Sequence, residues 1–296
     1  MTDYPFGHIP FNQQIQIAAG DSVLTRAQNV GQLFSFQGAF YCISFDDYTT
    51  RRGRVFHINP RSGQMTQLGN AFAKTTSAAG DEAARGAPWR LCAWNNKLWL
   101  VTNQLDGTAT SAIYRIRPDS DATWTLDKDI ITSYGTGIVA AFGKLYVTFM
   151  YDSGTTPKAI YERDASGTWT ARNTITVAHE AGFFKPFVFD SKLFAFQTIQ
   201  DDSIAFIQSS LDGTTWTTDI TTADLYTLVG QYVNDARIGS IVTLKDNLYV
   251  VVIGAEPASA GYILKRIPGT SPGTWTVQKT SSAGFAGYAA VISTPT

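Results

Sequence analysis

The feature that most constrains this chain is a tight polar turn that runs directly into a strand of large apolar residues and recurs at intervals of roughly 50 residues. Its clearest copy is Gly143-Lys144-Leu145-Tyr146-Val147-Thr148-Phe149. Asn96-Lys97-Leu98-Trp99-Leu100-Val101, Ser191-Lys192-Leu193-Phe194-Ala195-Phe196 and Asp246-Asn247-Leu248-Tyr249-Val250-Val251 repeat it, and Gly38-Ala39-Phe40-Tyr41-Cys42-Ile43 is a weaker copy. A period of this length marks a repeat architecture, in which each unit cannot bury its apolar faces alone and stacks on its neighbours.

Each copy is preceded by a second apolar segment: Gly31 to Phe36, Pro88 to Trp94, Gly137 to Phe142, Lys185 to Phe189 and Ile238 to Leu244. Each pair predicts a hairpin. Alternating strands follow at Arg54 to Ile58, Ala112 to Arg117, Ala159 to Arg163, Ile204 to Ser209 and Tyr262 to Ile267. A fourth strand opens at Trp124, Trp169, Trp216 and Trp275, with Met65 in that place in the first unit. The tryptophans keep phase with the turn motif, which suits large rings wedged between neighbouring units.

Four antiparallel strands per unit, with no helical segments expected between them, predict an all-β chain folded as a β-propeller, whose radial closure protects sheet edges. Five complete units run from about 30 to 280, and the flanking 1–29 and 281–296 together supply enough chain for a sixth. The expectation is a single domain, 1–296, of six blades closed by both termini, with five blades as the alternative.

The turn before Trp216 carries a resemblance. Ser210-Leu211-Asp212-Gly213-Thr214-Thr215-Trp216 resembles the Asp box of sialidase-type propellers, one residue short, and falls at the same third-to-fourth strand turn. Asp164-Ala165-Ser166-Gly167-Thr168-Trp169 and Asp119-Ser120-Asp121-Ala122-Thr123-Trp124 are more degraded copies, and Ser271-Pro272-Gly273-Thr274-Trp275 has lost the acid. In that family the box is a structural turn whose Asp satisfies backbone amides. The resemblance implies fold and no activity. A sialidase mechanism would also require an arginine triad, an Asp acid/base and a Tyr/Glu nucleophile pair. The family's Arg-Ile-Pro signature is missing, and Arg85-Gly86-Ala87-Pro88 is only a loose echo. Arg26, Arg85 or Arg90, and Arg237 are the arginines that could converge on a central channel.

Composition excludes several functions. Only 16% of residues are charged and the net charge is −1, so no field concentrates nucleic acid or an anionic membrane surface. Cys42 and Cys92 lie in separate apolar strands and read as buried free thiols. The start Met1-Thr2-Asp3-Tyr4-Pro5-Phe6 lacks a basic region followed by an apolar run, so no secretory signal is expected. The apolar run Leu248 to Ile253 is too short to span a bilayer. His8, His57 and His179 show no ligand spacing, and neither a metal centre nor a cofactor is expected.

Strand order puts the first-to-second and third-to-fourth turns on one side and the longer second-to-third and crossing loops on the other, where a ligand site is expected. The second-to-third loops carry Asp46, Asp47, Asp106, Asp152, Asp201, Asp202 and Glu256. The crossing loops add the candidate ligand-binding residues Asp81, Glu82, Arg85, His179, Glu180, Asp235 and Arg237. Carboxylates so placed could hold Ca²⁺ or cleave a glycosidic bond, which needs two carboxyl groups at a defined separation. Trp89, Trp94 and Trp99 could offer an aromatic platform to a sugar.

The missing signal, the Thr/Gly-rich strands and the lack of catalytic motifs lead to the expectation of a non-enzymatic binding or structural propeller. The setting that fits is a virus or phage particle, as an appendage, decoration or attachment protein released by lysis. Its partners would be other chains of the assembly and glycans, without nucleic acid or membrane insertion. The alternatives are a carbohydrate-binding lectin and a sialidase-like or other glycoside hydrolase.

Overall fold

The structure is a computed structural model, and it describes residues 29–45, 53–72, 86–103, 110–131, 134–151, 158–175, 181–199, 207–230, 237–244, 246–253, 261–269 and 274–280. Five four-stranded antiparallel units follow one another along the chain. The first contains β1 (Asn29–Phe36), β2 (Ala39–Phe45), β3 (Gly53–Ile58) and β4 (Met65–Gln67). The second contains β5 (Ala87–Trp94), β6 (Lys97–Asn103), β7 (Thr110–Ile116) and β8 (Thr125–Ile131). The third contains β9 (Tyr134–Ala141), β10 (Lys144–Tyr151), β11 (Lys158–Arg163) and β12 (Trp169–Ile175). The fourth contains β13 (Ala181–Phe189), β14 (Lys192–Ile199), β15 (Ile207–Ser210) and β16 (Thr217–Ile220). Helix α1 (Thr222–Val229) separates it from the fifth, β17 (Arg237–Leu244), β18 (Asn247–Ile253), β19 (Gly261–Ile267) and β20 (Thr274–Thr280). Each unit is a meander with strands in chain order. The third and fourth merge into one eight-stranded sheet, because the end of β10 pairs with the start of β13 at Met150↔Gly182 and Tyr151↔Ala181.

The recurring turn has a backbone reason. Two-residue hairpin loops that match strand twist need positive φ at both central positions. The pairs Gln37/Gly38, Asn95/Asn96, Phe142/Gly143 and Asp190/Ser191 all adopt it, with φ between 48° and 74°. The strand after each turn is then buried on both faces. Leu98, Leu145, Leu193 and Leu248 have no exposed surface, whereas Phe40, in the weakest copy, is only half-buried. Strands buried on both faces read as continuous apolar runs, as these do.

The core lies between sheets. One cluster joins Tyr41, Ile43 and Val55 of the first sheet to Leu91, Leu100 and Tyr114 of the second. Others join the second to the third through Trp99 and Val147, the third to the fourth through Tyr146 and Phe183, and the fourth to the fifth through Phe196 and Val250. The innermost strands β1, β5, β9 and β13 adjoin in turn. The architecture is an all-β, propeller-like stack of antiparallel sheets.

The fourth-strand tryptophans sit at these junctions as the spacing predicts, and two of them complete a charged latch. Between the second and third sheets, Asp127 of β8 accepts from Arg163 Nε at 2.8 Å, from Trp169 Nε1 at 2.8 Å and from Arg115 Nε at 3.0 Å. Between the fourth and fifth, Asp219 of β16 accepts from Arg266 Nε and Trp275 Nε1, both at 2.9 Å. In both cases the arginine pairs in register with the marker leucine, Leu145↔Arg163 and Leu248↔Arg266. The acid stands three residues after the tryptophan of the preceding sheet. The other two tryptophans find carbonyls instead: Trp124 Nε1 donates to Leu68 O at 2.8 Å, and Trp216 Nε1 to Gly213 O at 3.3 Å. Positions three residues after Met65 and Trp169 are Leu68 and Arg172, so no acid is present there to receive them.

The Asp-box-like turn behaves as a structural turn. Asp212 Oδ1 accepts the amides of Thr214 and Thr215 at 2.7 Å each, and Ser210 Oγ accepts that of Gly213 at 2.8 Å. Gly213 has φ +75°, and a Cβ there would lie 2.0 Å from Tyr146 Oη. In the degraded copies Asp164 Oδ1 accepts from Thr168 N at 2.9 Å and Asp121 Oδ2 from Arg117 N at 2.8 Å.

The expectation of no helix between units is corrected by α1. Thr221 caps it by accepting from Asp224 N at 3.0 Å, Asp224 answers through Thr221 N at 2.9 Å, and Gly230 ends it at φ 74°. Leu225 buries the helix against the fourth-to-fifth core. The capping box Thr-Thr-Ala-Asp was readable in the sequence. Cys42 and Cys92 are buried and free, and burial pushes the thiols up to about 11 and about 12.

Arg266 and Asp219 are 0% and 1% exposed, so removing one partner leaves an uncompensated buried charge. Asp219→Ala is expected to cost about 3–5 kcal/mol in urea unfolding, and Asp219→Ala with Arg266→Met to recover most of that loss. A single-variant cost below about 1 kcal/mol would remove the latch from the account of stability.

Candidate functional site

The inner strands share an irregularity that regular pairing does not require. In each sheet the ladder between first and second strands slips, leaving Gly31, Trp89, Thr136, Lys185 with Pro186, and Gly239 without cross-strand partners. In four sheets this bulge lies four residues before the residue paired with the marker position. In β13 it moves nearer and takes two residues, because Pro186 has no amide to return to the ladder. Bulges re-aim side chains and gather beside functional sites. All lie at the end where the long loops enter.

The bulges are tied to one another. Trp89 Nε1 of β5 donates to Thr136 O of β9 at 3.3 Å, and Thr136 Oγ1 donates to Phe183 O of β13 at 2.5 Å. Pro88 and Pro186 press against glycines of the preceding sheet: a Cβ on Gly53 would lie 2.4 Å from Pro88 Cδ, and one on Gly137 2.3 Å from Pro186 Cδ. Adjacent inner strands are thereby fixed closely at this end.

On that frame stand two cations from non-adjacent sheets. Arg90 follows the β5 bulge; its guanidinium lies over the Trp89 ring at 4.6 Å and its Nη1 donates to Trp89 O at 2.8 Å. Trp89 thus orients the guanidinium plane. Lys185 stands on the β13 bulge at φ 41°. Burial, followed by the like charge of Arg90, pushes its ammonium down to about 8. Burial also lowers Arg90. Both changes report positive charge held where water is scarce, the setting in which an anion gains most by binding.

Of the residues singled out from sequence, Asp81, Glu82, Arg85, His179, Glu180 and Asp235 lie outside the described residues. The same holds for Arg26, Asp46, Asp47, Asp106, Asp152, Asp201, Asp202, Glu256 and His8. Arg237 is the first residue of β17, paired with Ile253. Trp94 and Trp99 are buried, 5.4 Å apart, with Arg163 over both rings, and serve packing. Trp89 alone of the three belongs to the site. The sequence puts Lys185 at the head of an apolar strand, Lys185 to Phe189, and gives it no role; the strand begins earlier, at Ala181. The available signal was Lys185-Pro186, a cation and a ladder-breaker at the centre of an otherwise apolar run. Among the described residues no three His, Cys, Asp or Glu side chains come together to hold a metal ion, and no helix is long and apolar enough to cross a membrane.

Selective methylation of lysines followed by NMR titration should show Lys185 with a midpoint near 8, against about 10.4 for exposed lysines. Arg90→Gln should raise that midpoint. A Lys185 signal that moves with the exposed lysines would contradict the burial and charge described here.

No family model and no curated protein matches the chain. Solved structures do. Two bacterial proteins, each described as a "putative 6-phosphogluconolactonase", share its fold. The one from Bacteroides fragilis NCTC 9343 is 15% identical, with a TM-score of 0.54, over 89% of this chain and 74% of that one. The one from Bacteroides uniformis ATCC 8492 is 11% identical, with a TM-score of 0.53, over 82% and 68%. A prolyl endopeptidase matches at 13% identity and a TM-score of 0.51, over 87% of this chain, which spans 36% of that protein. At such identity the likeness shows the fold alone.

These matches correct the expectation of a non-enzymatic virus or phage particle component. The resembling folds belong to enzymes, and nothing found supports a particle role. The Thr/Gly-rich strand composition that suggested such a setting is what the sheets themselves require, since β-branched residues build the pleats and glycines admit the close approaches at Gly53 and Gly137.

Proposed function

We propose that this chain is a carbohydrate-directed protein that takes an anionic sugar, a sugar acid or its phosphate ester, at the mouth formed by Arg90 and Lys185. The observation that carries this reading is the pair of half-buried cations on inner strands β5 and β13, held across the Thr136 bulge of β9. Guanidinium and ammonium suit a carboxylate or phosphate group, and Trp89 presets the orientation of the guanidinium. The likeness in fold to the two proteins described as "putative 6-phosphogluconolactonase" supports the same ligand class.

The reading includes a closed propeller with the five sheets as blades and the sixth supplied by 1–29 and 281–296. Arg85, Glu180 and Asp235 stand one or two residues before β5, β13 and β17 in the chain, and Arg237 opens β17, so the same mouth is where they would join the site. Asp81, Glu82 and His179 lie on the same two crossing segments.

Calorimetric titration with 6-phosphogluconate and gluconate, against neutral glucose, tests the binding. Affinity should favour the anions, and Lys185→Gln or Arg90→Gln should weaken it by roughly tenfold to a hundredfold. Because the ammonium must be protonated to hold an anion, affinity for gluconate, whose carboxylate is ionised throughout, should be level between about pH 5 and 7 and fall as pH rises through about 8. Indifference to charge, or to both substitutions, would reject the reading. Glu180→Gln combined with Asp235→Asn tests turnover: lost hydrolysis of sugar lactones or glycosides at unchanged melting temperature supports an enzyme, and a wild type inactive on the whole panel leaves binding alone.

A further inference from the structure

A second cationic site lies at the opposite end of the second sheet, where the short turns gather. The β5–β6 turn delivers Lys97, and the β7–β8 turn delivers Arg115, Arg117, Asp121, Thr123 and Thr125 around an open cavity of about 430 Å³. That is within the range of small-molecule sites. The turn that builds it is the degraded Asp-box-like segment before Trp124.

The charges there do not balance. Asp127 is committed to Arg115, Arg163 and Trp169. Asp121 places Oδ2 on the backbone amide of Arg117 and Oδ1 on the Ser120 hydroxyl, so it holds the turn instead of neutralising a side chain. Among the described residues neither Lys97 Nζ nor the Arg117 guanidinium is in an ion pair. Lys97 therefore stands beside three further cations, Arg115, Arg117 and Arg163, with Asp121 and Asp127 already in use. Burial, then the like charges of Arg115, Arg117 and Arg163, lower the Lys97 ammonium against a smaller opposing pull from Asp121. The Thr123 and Thr125 hydroxyls add donors and no charge.

We propose that this cavity binds the phosphate or sulfate group of a small ester, with Lys97 and Arg117 as its charged ligands and the threonine hydroxyls beside them. A tetrahedral oxyanion has the acceptor oxygens that these donors lack, and its charge offsets the local excess of cations. The cavity is larger than one such ion, which leaves room for the group that bears it. The site is independent of the Arg90–Lys185 mouth.

The test is calorimetric titration of the full chain with inorganic phosphate, inorganic sulfate and glucose 6-phosphate, in wild type, in Lys97→Gln/Arg117→Gln and in Arg90→Gln. The expected result is a saturable millimolar component, separate from binding at the Arg90–Lys185 mouth, that the double substitution weakens by roughly tenfold or more at an unchanged melting temperature and that remains in the Arg90→Gln protein. Tighter binding of glucose 6-phosphate than of the inorganic ions places the sugar in the rest of the cavity; equal binding places recognition on the anion alone. No saturable binding at up to about 50 mM, or equal affinity in wild type and the double variant, overturns the proposal. So does a loss of all binding in Arg90→Gln alone, which would assign the anion to the mouth.

Discussion

The structure depends on how each four-stranded sheet meets the next. A single sheet here buries its second strand on both faces, so a sheet without neighbours would expose Leu98-Trp99-Leu100-Val101 or its equivalents to water. At two junctions the contact is reinforced by a buried carboxylate that accepts from an arginine and a tryptophan of the following sheet. Such a pair offsets its own desolvation only when its remaining hydrogen-bonding capacity is filled. The indole N–H fills it for Asp219 and Asp127, a contact that a phenylalanine in place of Trp275 or Trp169 could not make. Burial raises Asp127, but the Arg163 and Trp169 hydrogen bonds and the arginine charges outweigh it and hold the carboxyl below the usual carboxylate range. Its share of stability is accordingly present above the unfolded carboxylate range near pH 4 and is lost as pH falls through the lower folded value.

The same close junctions create the candidate site. With Pro88 and Pro186 pressed on glycines of the preceding sheets, the inner strands cannot slide, and the bulges at their ends present Trp89, Arg90 and Lys185 from a rigid frame. The cost of holding two cations near each other in a half-dry setting is visible in the lowered Lys185 ammonium. It is borne by the surrounding ladder, whose register resumes within one or two residues of each bulge. At the opposite end, an Asp-box-like turn commits Asp121 to the backbone amide of Arg117 and the Ser120 hydroxyl, and Lys97 and Arg117 stand outside any ion pair among the described residues.

Much of the fold was legible because it is periodic. The turn motif, the alternating strands and the phase of the tryptophans are local properties that repeat, and repetition averages away the ambiguity of any single segment. The carboxylate latch was also written in the chain, as an acid three residues after one tryptophan and an arginine opposite the marker leucine of the next unit. It could not be seen without register, which only the paired strands supply. Helix α1 breaks the strand period and announces itself only through the capping box at Thr221 and Asp224. The site was least legible, since a bulge is a mismatch between two strands and leaves almost no trace in either one. Arg90 is legible as one of the arginines that could face a central channel, whereas Lys185, at the head of the apolar segment Lys185 to Phe189, carries no sign of its place on a bulge.

The bulged position has a consequence for how such a chain can change. A residue outside the ladder can be replaced without disturbing any cross-strand pair, and the same position already holds Gly31, Trp89, Thr136 and Gly239 in four sheets. The proposed mouth is thus bordered by a short row of positions that the ladder does not fix, and the side chains there differ from sheet to sheet while the pairing around them is retained.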